Sequence, residues 1–82
     1  MIGSLTGSVK DIDLFTVLID VNGVGYEVEC TEATLRKLDI GGQVSLVIFT
    51  DVREDAIVLF GFADKSEKQV FLLLQKLSLI HI

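Results

Sequence analysis

The sequence predicts a mainly β domain in which five strands close into a small barrel, with a short helix between the third and fourth strands and a second helix at the C-terminal end. Three observations carry this expectation. Apolar residues alternate with period two in several short runs, clearest at Val44, Leu46 and Ile48 and again at Val58, Phe60 and Phe62. Asn22-Gly23 separates two further runs, and this pair is the strongest short hairpin signal because both residues tolerate the positive φ of a type I′ turn. The third observation is the segment from Asp64 to Leu79, where a capping signal opens a long apolar stretch.

The elements follow in order. Met1 to Val9 alternates, with Gly3 and Gly7 suiting a strand that bends sharply, and Lys10-Asp11-Ile12-Asp13 reads as a polar turn. Leu14 to Val21 places Phe15, Val17, Ile19 and Val21 on one face and Leu14, Thr16, Leu18 and Asp20 on the other, which suits a central strand. After Asn22-Gly23 the returning strand, Val24 to Cys30, turns Val24, Tyr26, Val28 and Cys30 to one side and the solvated Glu27 and Glu29 to the other. Thr31 can N-cap a short helix running to Leu38, with Glu32 in its first turn and Arg36 and Lys37 in its last. Gly41-Gly42 releases the chain into the fourth strand. The fourth and fifth strands then form a hairpin whose exposed tip carries Arg53, Glu54 and Asp55, and the fifth strand runs from Ala56 to about Ala63. Asp64 and Glu67 form a capping box for a helix from Lys65 to about Leu79 that is apolar on nearly its whole circumference, so it expects cover.

Five strands with a helix between the third and fourth is the order of an OB-fold-like Greek-key barrel, with an SH3-like barrel or a flat meander as the structural rival. Residues 1–63 are expected to form the barrel and residues 64–82 the terminal helix.

Composition bounds the function. A chain of 82 residues is one domain, and a domain of this size buries only about 60–65% of its unfolded surface. Half the residues are hydrophobic, and the mean hydropathy of +0.59 leaves apolar surface that calls for partners. No apolar run approaches the roughly 18 residues of a membrane span and no signal peptide is visible, so a soluble, cytoplasmic protein without membrane contact is expected. The single Cys30 closes an apolar strand face and reads as a small buried hydrophobe; the single His81, at the extreme terminus, reads as incidental. Neither supplies a metal site, and no cofactor is expected. A net charge of −5 argues against nonspecific DNA affinity by this segment alone. Nothing supports an enzyme: there is no Ser-His-Asp set and no phosphate loop. Glu54 and Asp55 are also no glycosidase pair, because neighbours on a strand point to opposite faces.

Four motifs occur together: Met1-Ile2-Gly3 with Leu5 and Gly7; Asn22-Gly23-Val24-Gly25-Tyr26-Glu27-Val28; Val52-Arg53-Glu54-Asp55-Ala56 with Leu59-Phe60-Gly61-Phe62; and Glu67-Lys68 with Phe71, Leu74 and Ser78. In this order and spacing the chain resembles the N-terminal domain of the RuvA family, the Holliday-junction-binding subunits of the bacterial RuvAB branch-migration complex. The resemblance implies a non-catalytic subunit acting in DNA recombination and repair: a homotetrameric core presenting one face to four-way junction DNA, with RuvB as the ATPase and RuvC as a further partner. It implies that Glu54 and Asp55 are an acidic pin near the junction centre; from the residues alone they merely solvate a turn. Arg53, beside them, is a candidate phosphate contact. Gly23, Gly25, Tyr26 and Gly61 read as fold determinants.

Members of the family continue into a domain with two helix-hairpin-helix motifs and then a flexible RuvB-binding domain. Where the first Gly-Ile-Gly-Pro-Lys hairpin is expected after Ser78, this sequence reads Leu79-Ile80-His81-Ile82. The terminal helix is therefore expected to lead into a missing second domain, and these residues by themselves to bind a junction poorly. The competing expectation is a generic OB-fold module for proteins or single strands. Dispersed basic residues and aromatics placed on strand positions disfavour the single-strand version.

Overall fold

The computed structural model describes residues 1–80, with side chains for residues 1–77; His81 and the reading attached to it lie outside the described residues. The elements are β1 (Ser4–Ile12), β2 (Thr16–Val21), β3 (Val24–Glu29), α1 (Glu32–Leu35), β4 (Gln43–Val52), β5 (Ile57–Phe62) and α2 (Lys65–Ile80). The strands form a closed barrel in the order β1-β2-β3-β5-β4, with α1 between β3 and β4, as an OB-fold-like barrel requires.

Closure depends on β1 serving two neighbours. Its first half, Ser4 to Ser8, pairs antiparallel with β4, and its second half, Ser8 to Ile12, pairs with β2. The change of partner coincides with Gly7, where a Cβ would stand 2.2 Å from the Asp20 carbonyl oxygen; only a residue without a side chain lets the strands cross this closely. The register slips between Val9 and Asp11, so Lys10 is the extra residue of a β-bulge, the usual device for bending a barrel strand. A short parallel pairing, Val28 with Leu59 and Glu29 with Phe60, completes the circle.

Lys10 to Ile12 thus belong to β1, where a turn was expected. The reversal is confined to Asp13–Phe15: the Asp13 carboxylate accepts from the Leu14 N–H at 2.8 Å, and the Asp13 N–H donates to the Thr16 carbonyl at 2.8 Å. This local turn takes Leu14 and Phe15 out of β2 and leaves both exposed. Gly3 likewise precedes β1 and is no bend; its carbonyl accepts from the Ile48 N–H. The β2–β3 hairpin forms as expected, with Val21 opposite Val24 and Asn22 at φ 51°. α1 is a single turn shorter than the expected segment to Leu38. Thr31 caps it by accepting from the Thr34 N–H at 3.2 Å, and Leu35 drops into the barrel core.

The interior is lined by Leu5, Val9, Val17, Ile19, Val28, Leu46, Ile48 and Leu59. Removing each large aliphatic side chain from water is worth about 1.5–3 kcal/mol. On β5 it is Leu59 and Gly61 that face this core; a Cβ on Gly61 would come within 2.6 Å of Val28 Cγ1. The opposite face, Phe60 and Phe62, stacks outside the barrel with Phe49 of β4 and Phe71 of α2, at centroid distances of 5.1–6.4 Å. Each such aromatic pair adds about 0.5–1.5 kcal/mol beyond burial.

α2 is held on this outer wall by polar contacts as well. Asp64 caps it, accepting from the Glu67 N–H at 2.9 Å. The other half of the expected capping box does not form. The Glu67 carboxylate accepts from the Thr34 hydroxyl at 3.2 Å, because the barrel brings α1 to that position. Lys68 Nζ donates to the Ile48 carbonyl at 2.8 Å. Val70, Leu73, Leu74 and Leu77, recurring at helical spacing, remain exposed along the outer side of the helix.

Candidate nucleic-acid interface

The β4–β5 hairpin runs on past the start of β1. β1 accompanies β4 only through Val47, and the Thr50 hydroxyl then accepts from the Ile2 N–H and donates to the Ile2 carbonyl. Beyond that point β4 has only β5 paired with it, and their last pair, Val52 with Ile57, is 64% and 69% exposed. Arg53 N–H donates to the Ala56 carbonyl at 2.8 Å, which closes a turn with Glu54 and Asp55 as its two apical residues. Neither has a positive φ, so this turn needs no glycine or asparagine. Both side chains are exposed.

Arg53 is turned toward Asp51: its Nε donates to Asp51 Oδ2 at 3.0 Å, with the arginine 53% and the aspartate 27% exposed. Residues two apart on a strand share a face, so the Asp-x-Arg spacing carried this contact in the sequence, where Asp51 was not singled out. The only other ion pair among the described residues is Arg36 with Glu32, on α1. Glu54 and Asp55 therefore carry their charges with no cation paired to either.

Negative charge predominates over the chain, with a net charge of −5. Of seven Lys and Arg residues, Arg36 and Arg53 are ion-paired and Lys68 is committed to a backbone carbonyl. Glu27 and Glu29 are exposed, as expected of a solvated face, and Asp11, Asp13 and Glu27 share the rim of a shallow recess with Thr16 and Leu18. Among the described residues no group of three or more His, Cys, Asp and Glu side chains gathers where it could hold a metal ion, and no helix is long and apolar enough to cross a membrane. Cys30 is a free, buried thiol. Burial pushes its pKa up to about 11, with Glu67 adding to the rise and a backbone hydrogen bond from Gly61 opposing it. A thiol held protonated in this way is packing material, not a nucleophile.

Comparison with known proteins bears on a hairpin of this kind. Residues 1–61 match the family model described as the RuvA N terminal domain. The chain is 45% identical over 78 residues to the Holliday junction branch migration complex subunit RuvA of Nocardioides sp., a match covering 95% of this chain and 39% of that protein. The subunit of the same name from Bdellovibrio bacteriovorus is 46% identical over 80 residues, covering 95% of this chain and 41% of the relative. That from Methylocella silvestris is 49% identical over 76 residues, covering 92% and 36%. The chain thus spans about two fifths of the length of the curated relatives it matches. With the family model covering most of its residues and the barrel intact, the chain belongs to the RuvA family, through that family's N-terminal domain.

Proposed function

We propose that this chain is the barrel portion of a Holliday-junction branch-migration subunit, and that Glu54 and Asp55 form an acidic pin directed at the centre of a four-way DNA junction. One observation carries the reading: the two carboxylates occupy the apex of the β4–β5 hairpin, exposed and without a paired cation. Such charges are not demanded by the fold. Opposed to phosphates about 6 Å away, each contributes a repulsion of about 0.7 kcal/mol in water and about 3 kcal/mol where the effective dielectric falls to about 20. At a crossover that repulsion discourages strands from reannealing across the centre and keeps the junction open. Arg53, whose Nε alone is engaged by Asp51, is a candidate contact to a flanking phosphate.

The role is non-catalytic, with ATP-driven movement supplied by RuvB and with RuvC as a further partner in the cytoplasm. Attraction to the DNA backbone comes from segments of the relatives outside the matched region, in keeping with the net charge of −5 here. Assembly as a homotetramer fits the exposed apolar residues, among them Leu14, Phe15, Val70, Leu73 and Leu74. Light scattering on the 82-residue chain reads this directly, with four copies expected.

The pin is tested in a chimera carrying residues 1–78 of this chain in place of the matched segment of the Nocardioides relative. Glu54→Lys with Asp55→Lys is expected to slow junction opening and branch migration at least tenfold while junction binding persists. Unchanged opening removes the pin. Tight, junction-selective binding by the 82 residues alone at low salt removes the assignment of attraction to other segments.

A further inference from the structure

We propose that Asp51 is a positioning residue for this tip: its carboxylate holds the Arg53 guanidinium on the β4 face and keeps that cation off Glu54 and Asp55. The inference rests on the pin reading for its functional meaning and on the hairpin geometry for its physical content. Arg53 immediately precedes Glu54 and is the cation nearest the apex in sequence. Its long side chain is half exposed and free to turn, so the apical carboxylates are natural partners for it. In the structure it turns the other way, to Asp51, at 3.0 Å through Nε. Asp51 is the less exposed of the two at 27%, lying on a strand whose register with β5 fixes its direction.

No other charge on the hairpin competes for Arg53. Asp51 stands opposite Val58 and Val52 opposite Ile57, while the residue that ties the N-terminal stretch to β4 is the neutral Thr50. The choice for Arg53 is therefore between Asp51 and the apex. With Asp51 occupied, two negative charges remain uncompensated at the turn; with Asp51 neutralised, Arg53 swings forward and cancels one of them. An exposed pair of this kind adds little to folding stability, so its effect lies in where it leaves the charge.

The test maps the surface potential of the 82-residue chain, through relaxation of amide protons by cationic and anionic paramagnetic cosolutes. Asp51→Asn is expected to lower the cation-to-anion ratio about tenfold at the Glu54 and Asp55 amides, since one unit charge about 6 Å away in water depletes the cation and enriches the anion about threefold each. A smaller change is expected at residues 51 and 52. Nuclear Overhauser contacts of the Arg53 Hε proton are expected to move from the Asp51 methylene to those of Glu54 or Asp55, and Asp51→Glu to keep the wild-type pattern. A change centred on residues 51 and 52, with Arg53 Hε contacting neither apical residue, overturns the inference. In the chimera, Asp51→Asn is expected to slow junction opening in the same direction as the double lysine variant. If the double lysine variant is inert, the pin fails while the potential map still decides the role of Asp51. If it is active and Asp51→Asn leaves the map and the opening unchanged, the positioning role alone fails.

Discussion

Two hairpins of this barrel end in two-residue turns, and they are built on different grounds. Between β2 and β3 the turn is Asn22-Gly23, with φ values of 51° and 90°, the left-handed backbone that most side chains resist. Between β4 and β5 the apex is Glu54-Asp55, with no positive φ and therefore no conformational demand for these residue types. The first turn is written by backbone sterics. The second is open to almost any polar pair, so two adjacent carboxylates there, unpaired and exposed, need an explanation outside folding.

That contrast can be broken at its foundation or sharpened at its edges. The largest effect belongs to the shared barrel: Ile19→Ala on β2 and Ile48→Ala on β4, both fully buried, are each expected to cost about 2–5 kcal/mol in urea denaturation, weakening both hairpins alike. Alkaline titration comes next. The Cys30 thiol titrates near 11 in the folded chain against a reference value of 9.0, so the native state keeps a proton that the unfolded chain loses. The stability this contributes is whole below pH 9, falls between pH 9 and 11, and amounts to about 3 kcal/mol in all. Cys30→Ala is expected to remove that slope.

Smaller and more discriminating is Gly23→Val, expected to cost about 1–2 kcal/mol because a branched residue must enter the left-handed region. Its counterpart places Asn and Gly at the other apex, through Glu54→Asn with Asp55→Gly. Stability is expected to change by no more than about 0.5 kcal/mol, while junction opening in the chimera is lost. A large loss of stability here means that the carboxylates serve the fold after all. The smallest effect is for Asp51→Asn, about 0.5 kcal/mol or less by thermal denaturation, since the pair is exposed.

Much of the architecture was legible in advance because it is local. The alternation of Val17 and Ile19, the Asn22-Gly23 turn and the Thr31 cap each declare themselves within a few residues, and all three stand in the structure. The β1–β2 reversal was misread because the Asp13 carboxylate and backbone close a tighter turn than the polar run suggested. The capping box was half right for a different reason: Glu67 lies three residues from Asp64, yet its carboxylate is claimed by Thr34, thirty-three residues away in the chain. The position of Arg53, Glu54 and Asp55 at an exposed hairpin tip is legible in the sequence, whereas the Asp51 contact is signalled only by a two-residue spacing from Arg53.

Strand positions, hairpin turns and the placement of two carboxylates at an exposed apex were determined by the sequence itself, through side-chain periodicity and backbone sterics acting over a few residues. It could not say which face of β5 turns inward, since Phe60 and Phe62 on one side and Leu59 on the other are all apolar. Closure of the barrel decided that: only Gly61 leaves room for Val28 and Leu46 at the centre, which sends the phenylalanines outward to meet Phe49 and Phe71. Strand pairing also decided that the β4–β5 tip runs on past β1, because β1 starts at Ser4 opposite Val47 while β4 continues to Val52, and that end of β4 has only β5 beside it.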